Sequence, residues 1–297
     1  MIIRFFKFTK LAQVIVAMIV SFVIMLALKN QYFLITDLSS QLGIYLIFFL
    51  SLFIISKNTI LKTNQYIAIG LILFSGVYFK MPFDLKLTAS YFFLLLSIRR
   101  IYSLKSKKNL NKKFFDIGFW FSISTFLHEI NILFLITILS GSYMFYKLNF
   151  AGFFKILIGY IGASLIIFVF LNPIADFEFS VNSLVKFLDL IWIKLESIKI
   201  LSELNLIHSS FAIICSLIFA FYALNYFGSN LSERIKSLFL LVFFINSILL
   251  VFLIKEYSIF LFFPFLVTLI KIISELRDDL FFEITLLTII LINSYPF

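Results

Sequence analysis

Residues 114–146 read FFDIGFWFSISTFLHEINILFLITILSGSYMFY and are apolar almost throughout. As one helix the stretch would be about 50 Å long at 1.5 Å per residue, too long for one crossing of a ~30 Å hydrocarbon core. His128, Glu129 and Asn131 stand near its middle, and such residues are costly at membrane depth. A break there sets them at an aqueous boundary and divides the stretch into two spans, 114–127 and 130–147.

Outward from this stretch, further apolar runs lie at about 11–28, 41–56, 65–79, 85–98, 153–171, 209–227, 237–254, 257–273 and 280–293. The expected fold is therefore an all-α polytopic membrane protein with about 11 transmembrane helices, one integral membrane domain over 1–297. Composition agrees. Hydrophobic residues make up 62%, with 43 Phe, and charged residues only 13%, about half the usual share of a soluble domain. A soluble fold could not hide that much apolar surface, which excludes a cytoplasmic enzyme, a secreted domain and a disordered chain. The first run follows Arg4, Lys7 and Lys10 without a small-x-small cleavage site after it, so it reads as an uncleaved first helix. The single Cys, Cys215, lies in an apolar run, so an intramolecular disulfide is excluded.

The formal charge is +10, and in a membrane protein the question is how it is sorted. With the N-terminus cytoplasmic and the chain broken near His128, the predicted inner side carries Arg4, Lys7, Lys10, Lys57, Lys62, Arg99, Arg100, Lys105, Lys107, Lys108, Lys112, Lys113, Lys147, Lys155, Arg234, Lys236, Lys271 and Arg277. The loop RRIYSLKSKKNLNKK at 99–113 supplies seven of these and no acid. It reads as a positive-inside anchor beside anionic lipid. Nucleic-acid binding is not expected, because so short a loop offers no folded basic surface with base-stacking aromatics.

The long segment 172–208 is expected on the outer side. It holds five acids and three lysines, with Leu184, Phe187, Leu188, Ile191, Leu195, Ile198 and Leu201 at helical spacing. One or two amphipathic helices are expected there, either a lid over a lipid-exposed site or a stabilising collar. No internal repeat supports an inverted-repeat transporter.

The expected outer side has few ionisable groups at helix boundaries: Lys80, Asp84 and Lys86, then His128 and Glu129, then Lys255 and Glu256. The plain reading makes the lysines snorkelling anchors and Asp84 a helix-start residue. His128 is open to a structural or a catalytic reading, and His208 reads as interfacial. If the boundaries meet, they form a cationic pocket with carboxylates and an imidazole. No metal pattern, P-loop, GxGxxG or nucleophile elbow is present, so no metal or cofactor is expected.

DLKLTASYFFLLLSIRR, KSKKNLNKK and FSISTFLHEINILFLITIL follow one another between residues 84 and 138. This order resembles the EpsG-like group of Wzy polymerases, where an Arg-Gln pair opens a helix with a small residue shortly after, a basic loop follows, and an apolar helix ends in a Phe-His or similar pair before a further apolar run. IKEYSIFLFFPFL at 254–266 resembles a second feature of that group, a basic residue shortly before an aromatic, Pro-containing helix. The family's Arg-Gln pair is here Lys86-Leu87, and the later basic position is Lys255. Lysine keeps the charge but loses the bidentate fork.

The resemblance implies a glycosyltransferase-type polymerase in the bacterial inner membrane. Such an enzyme joins undecaprenyl-diphosphate-linked oligosaccharide repeats into a surface polysaccharide (O-antigen, capsule or exopolysaccharide) on the outer side, with a chain-length regulator as a partner. Lys86 and Lys255, with Asp84 and Glu256 beside them, would bind substrate. His128 or Glu129 would act as base. A lipid-linked sugar flippase or transporter, a membrane acyltransferase using His128 and Glu129, and a non-catalytic membrane subunit are the alternatives.

Overall fold

The computed structural model describes residues 11–28, 35–61, 68, 70–72, 84–171, 215–217, 219–220, 230–253 and 255–275, with no strand among them. Its helices are α1 (Leu11–Leu28), α2 (Ile35–Lys57), α3 (Leu85–Ser103), α4 (Leu110–Leu127), α5 (Leu135–Tyr146), α6 (Phe150–Leu171), α7 (Leu231–Leu253) and α8 (Phe262–Glu275). Short 3₁₀ helices occupy Leu104–Ser106, Glu129–Phe134 and Lys255–Leu261. The segment 172–208, His208, Lys80 and the run 280–293 lie outside the described residues.

The protein is thus all-helical among the described residues. Among the described residues three helical runs are long and apolar enough to cross a membrane: Glu129–Tyr146, Phe150–Phe170 and Glu233–Val251. Ala12–Val23, Leu42–Lys57 and Ser258–Ile272 are shorter apolar helices.

Helix α4 ends where the polar residues interrupt the apolar run. Its last turn closes with the His128 backbone N–H donating to the Ser124 carbonyl at 3.1 Å. His128 itself is extended, at φ −141° and ψ 107°. Helix α5 then runs back antiparallel to α4, because the Tyr146 ring near its end lies 6.0 Å from Phe114 near the start of α4. Residues 114–146 therefore form a helical hairpin, with the reversal at the expected place.

Side-chain contacts fix the remaining directions. Ser97 Oγ donates to the Ile117 carbonyl at 3.1 Å and Ser124 Oγ to the Ser90 carbonyl at 2.8 Å, so α3 and α4 are antiparallel. Lys155 Nζ donates to Asn111 Oδ1 at 2.7 Å and Ser122 Oγ lies 2.9 Å from Ser164 Oγ, so α6 is parallel to α4. Glycines bring these two helices into backbone contact: a Cβ on Gly118 would fall 1.9 Å from the Ile156 carbonyl oxygen, and one on Gly159 would fall 2.2 Å from that of Phe115. Asn246 Nδ2 donates to Thr137 Oγ1 at 2.6 Å while Phe239 packs on Gly141, which makes α7 antiparallel to α5. Helix α2 runs parallel to α3, with Gly43 against Thr88 and the Phe53 ring 4.4 Å under the Arg99 guanidinium.

These directions sort charge. The ends of α2, α3 and α5 and the starts of α4, α6 and α7 share one end of the bundle. That end carries Lys57, Arg99, Arg100, Lys105, Lys107, Lys108, Lys112, Lys113, Lys147, Lys155, Arg234 and Lys236, against the acids Asp116 and Glu233. Several of the cations are structural. Arg100 pairs with Asp116 at 2.8 Å, Lys113 donates to the Ser103 carbonyl and Ser106 Oγ, each at 2.5 Å, and Lys236 donates to the Thr59 carbonyl. Among the described residues the non-glycine ones with positive φ, Thr59, Lys107, Asn109 and Lys147, form tight turns at this basic end.

Candidate functional site

The start of α3, the ends of α4, α6 and α7, and the two 3₁₀ helices Glu129–Phe134 and Lys255–Leu261 occupy the end opposite the basic one. Asp84 caps α3: its carboxylate accepts from the Lys86 backbone N–H at 3.3 Å, as the helix-start reading expects. Asp84 and Lys86 are both exposed.

Lys86 shares one face of α3 with Ser90, Phe93 and Ser97, by its 3.6-residue spacing. That face meets α4 at Ile117 (from Ser97), Trp120 (its ring stacked 5.9 Å from Phe93) and Ser124 (to Ser90). Continuing the same antiparallel register by four residues sets Lys86 level with His128. His128 is half-buried and Glu129 beside it is exposed. Two of the three expected boundary clusters therefore share one level at one end of the α3–α4 pair.

The third cluster opens the 3₁₀ helix Lys255–Leu261, for which the backbone of Lys255 and Glu256 is described and their side chains are not. Its far end is fixed to the other two elements. Phe260 stacks on Phe134 at 5.3 Å, joining the two 3₁₀ helices. The Tyr91 hydroxyl donates to the Phe260 carbonyl at 3.3 Å and accepts from the Phe263 backbone N–H at 3.1 Å, joining α3 to the start of α8. The helix that Lys255 opens is thus packed on the one that Glu129 opens.

Polar side chains inside the bundle hold the first reversal. Asn131 is fully buried, and its amide donates to the Ser124 carbonyl at 3.3 Å and to Ser124 Oγ at 3.0 Å. Since Ser124 donates on to Ser90, one chain of bonds runs from the reversal through α4 to α3. Asn131 stood out in the sequence as a costly polar residue, but its partner at Ser124 did not. Tyr91 gave no signal within its YFFLLL run, where it reads as another apolar core residue.

Among the described residues no three His, Cys, Asp or Glu side chains gather closely enough to hold a metal ion. What this end offers chemically is an exposed ammonium, an imidazole and carboxylates at the rim of an apolar bundle. No family model, curated protein or solved structure matches the chain.

Proposed function

We propose that the chain is a membrane polysaccharide polymerase of the kind that residues 84–138 resemble. It acts on undecaprenyl-diphosphate-linked oligosaccharide at the outer face of the bacterial inner membrane, with about 11 spans and a cytoplasmic N-terminus. The observation that supports this reading is the shared level of Lys86 on α3 and His128 at the end of α4, opposite the basic cluster. A polymerase of this kind needs cations for a departing diphosphate and a base for a hydroxyl on one side of the membrane. It needs topology-fixing lysines and arginines on the other.

The chemistry uses few groups. The acceptor sugar's hydroxyl oxygen attacks the anomeric carbon of the donor glycan, and the bond from that carbon to the diphosphate oxygen breaks. The electron pair leaves with the diphosphate, whose charge Lys86 and Lys255 neutralise. The hydroxyl proton passes to His128 or Glu129. Two lipid-anchored substrates held in one plane supply much of the remaining rate by proximity. Asp84 and Glu256 orient the lysines, and a chain-length regulator is the expected protein partner.

The test is complementation of a strain deleted for the gene, read as the polymer length ladder. Lys86→Ala and His128→Ala are each expected to abolish long polymer at unchanged expression, and Lys86→Arg to restore part of it. Full-length polymer from both alanine variants would reject the site, and unchanged polymer in the deletion strain would reject the function.

A further inference from the structure

At the basic end two sets of cations differ in their surroundings. Arg99, Arg100, Lys113, Lys155 and Lys236 each have a partner within the bundle. Lys105, Lys107, Lys108 and Lys112 are exposed, and no acidic side chain among the described residues pairs with them. The positive-φ turns at Lys107 and Asn109 compress this second set into a short connection between α3 and α4.

The surface immediately below is apolar and also exposed. On α4 the spacing runs Lys112, Phe115, Phe119 down one face, with Phe115 39% exposed and stacked 6.1 Å from Phe119. The neighbouring α6 starts at the same end with Phe150, 78% exposed, its ring 5.1 Å from Phe154. Lys112 therefore stands directly over an aromatic, outward-facing wall, with Lys107 and Lys108 in the turn that precedes it.

We infer that this surface is a binding site for an anionic phospholipid, its phosphate on the Lys105–Lys112 lysines and its acyl chains along the outer face of the α4–α6 pair. Charge complementarity favours the phosphate, and the apolar wall favours an amphiphile. A free phosphate or a nucleic acid would engage the lysines and leave the wall unused. Each lysine near an anionic headgroup contributes about fivefold in affinity. The site lies at the opposite end from Lys86 and His128 and is independent of the proposed activity.

The test is thermal unfolding of the full chain in an uncharged maltoside detergent, titrated with palmitoyl-oleoyl phosphatidylglycerol. A saturable rise in Tm is expected with this lipid and not with its phosphatidylcholine counterpart. Lys108→Gln with Lys112→Gln should raise the half-saturating concentration about 25-fold, and glutamine at all four lysines should abolish the response. Unchanged Tm in phosphatidylcholine will show that the variants fold. Undiminished response of the fourfold variant would overturn the assignment. So would an equal Tm rise with inorganic phosphate or a single-stranded RNA 12-mer, the second of which would make this a nucleic-acid surface.

Discussion

Gly118→Ala tests the tightest joint in the bundle. The added methyl carbon would sit 1.9 Å from the Ile156 carbonyl oxygen, 2.8 Å from its carbon and 2.9 Å from the Tyr160 nitrogen. All three are backbone atoms of α6, so no side chain can rotate away, and α6 must retreat by about 1.1 Å to restore a 3.0 Å contact. Overpacking of this kind costs about 1–3 kcal/mol, and a rigid backbone neighbour sets it near about 3 kcal/mol. The alanine returns about 1 kcal/mol through helix propensity, leaving a net loss of about 2 kcal/mol. The same helix pair contains its own control. Gly162 has nothing within 4 Å of its missing Cβ, so Gly162→Ala keeps the propensity gain of about 1 kcal/mol without a clash. The two variants should differ by about 3 kcal/mol, or about 5–10 °C in Tm. Trp120, two residues from Gly118 and stacked on Phe93, reports the loss by fluorescence during thermal unfolding in detergent. If Gly118→Ala unfolds together with Gly162→Ala, at or above the parent, the backbone contact between α4 and α6 is wrong.

Two further outcomes follow from the polar contacts. Tyr91→Phe leaves the ring in place but strips the partner from the buried Phe263 N–H and Phe260 carbonyl. It should cost about 1–3 kcal/mol, visible as a lower Tm and as earlier reaction of a cysteine placed at Ser258. Arg100→Gln removes the partner of Asp116 from a pair whose side chains are 30% and 17% exposed, so about 1 kcal/mol is expected. Adding Asp116→Asn should recover most of it, and a double variant no more stable than Arg100→Gln alone would dismiss the pair.

What the sequence disclosed was local and periodic. The hairpin at His128 was legible because two apolar runs too long to be one crossing met at three polar residues within four positions, His128, Glu129 and Asn131. The basic turn between α3 and α4 was legible because like charges in a short loop admit few placements. The shared level of Lys86 and His128 was not, because it depends on Ser97 reaching Ile117 and Ser124 reaching Ser90, hydroxyl-to-backbone bonds that leave no sequence period. The glycine joint did carry a signal. Gly118 and Ser122 on one helix, and Gly159 and Ala163 on the other, are small residues four apart, a spacing that lets helix backbones approach. Both pairs lie within expected spans, 114–127 and 153–171, and the spacing alone does not say which spans pack together. Lys255 and Glu256 show the reverse case: their sequence position was noticed, yet only the Phe134–Phe260 stack ties their helix to the first reversal.

Both helix breaks meet the same physical problem. A helix that stops inside an apolar bundle leaves backbone N–H and C=O groups without partners, and lipid offers none. At the end of α4 the Ser124 carbonyl receives the His128 N–H and the Asn131 amide. At the start of α8 the Tyr91 hydroxyl serves the Phe260 carbonyl and the Phe263 N–H together. One interior polar side chain seals each break from the bundle side, and the 3₁₀ helices turn the chain tightly enough for Phe134 to stack on Phe260. Because the first seal sits inward, it does not draw on the exposed rim. Glu129, exposed at the first break, and Lys86, exposed at the level of His128, stand on that rim. The proposed site, set beside such breaks, would combine rigid support with the exposed Lys86 and Glu129, the condition a preorganised constellation requires. Loosening a seal should therefore damage the constellation before it unfolds the bundle: Asn131→Leu is expected to lose polymer in the complementation assay at a Tm within a few degrees of the parent, and retained polymer with a collapsed Tm would reverse that order.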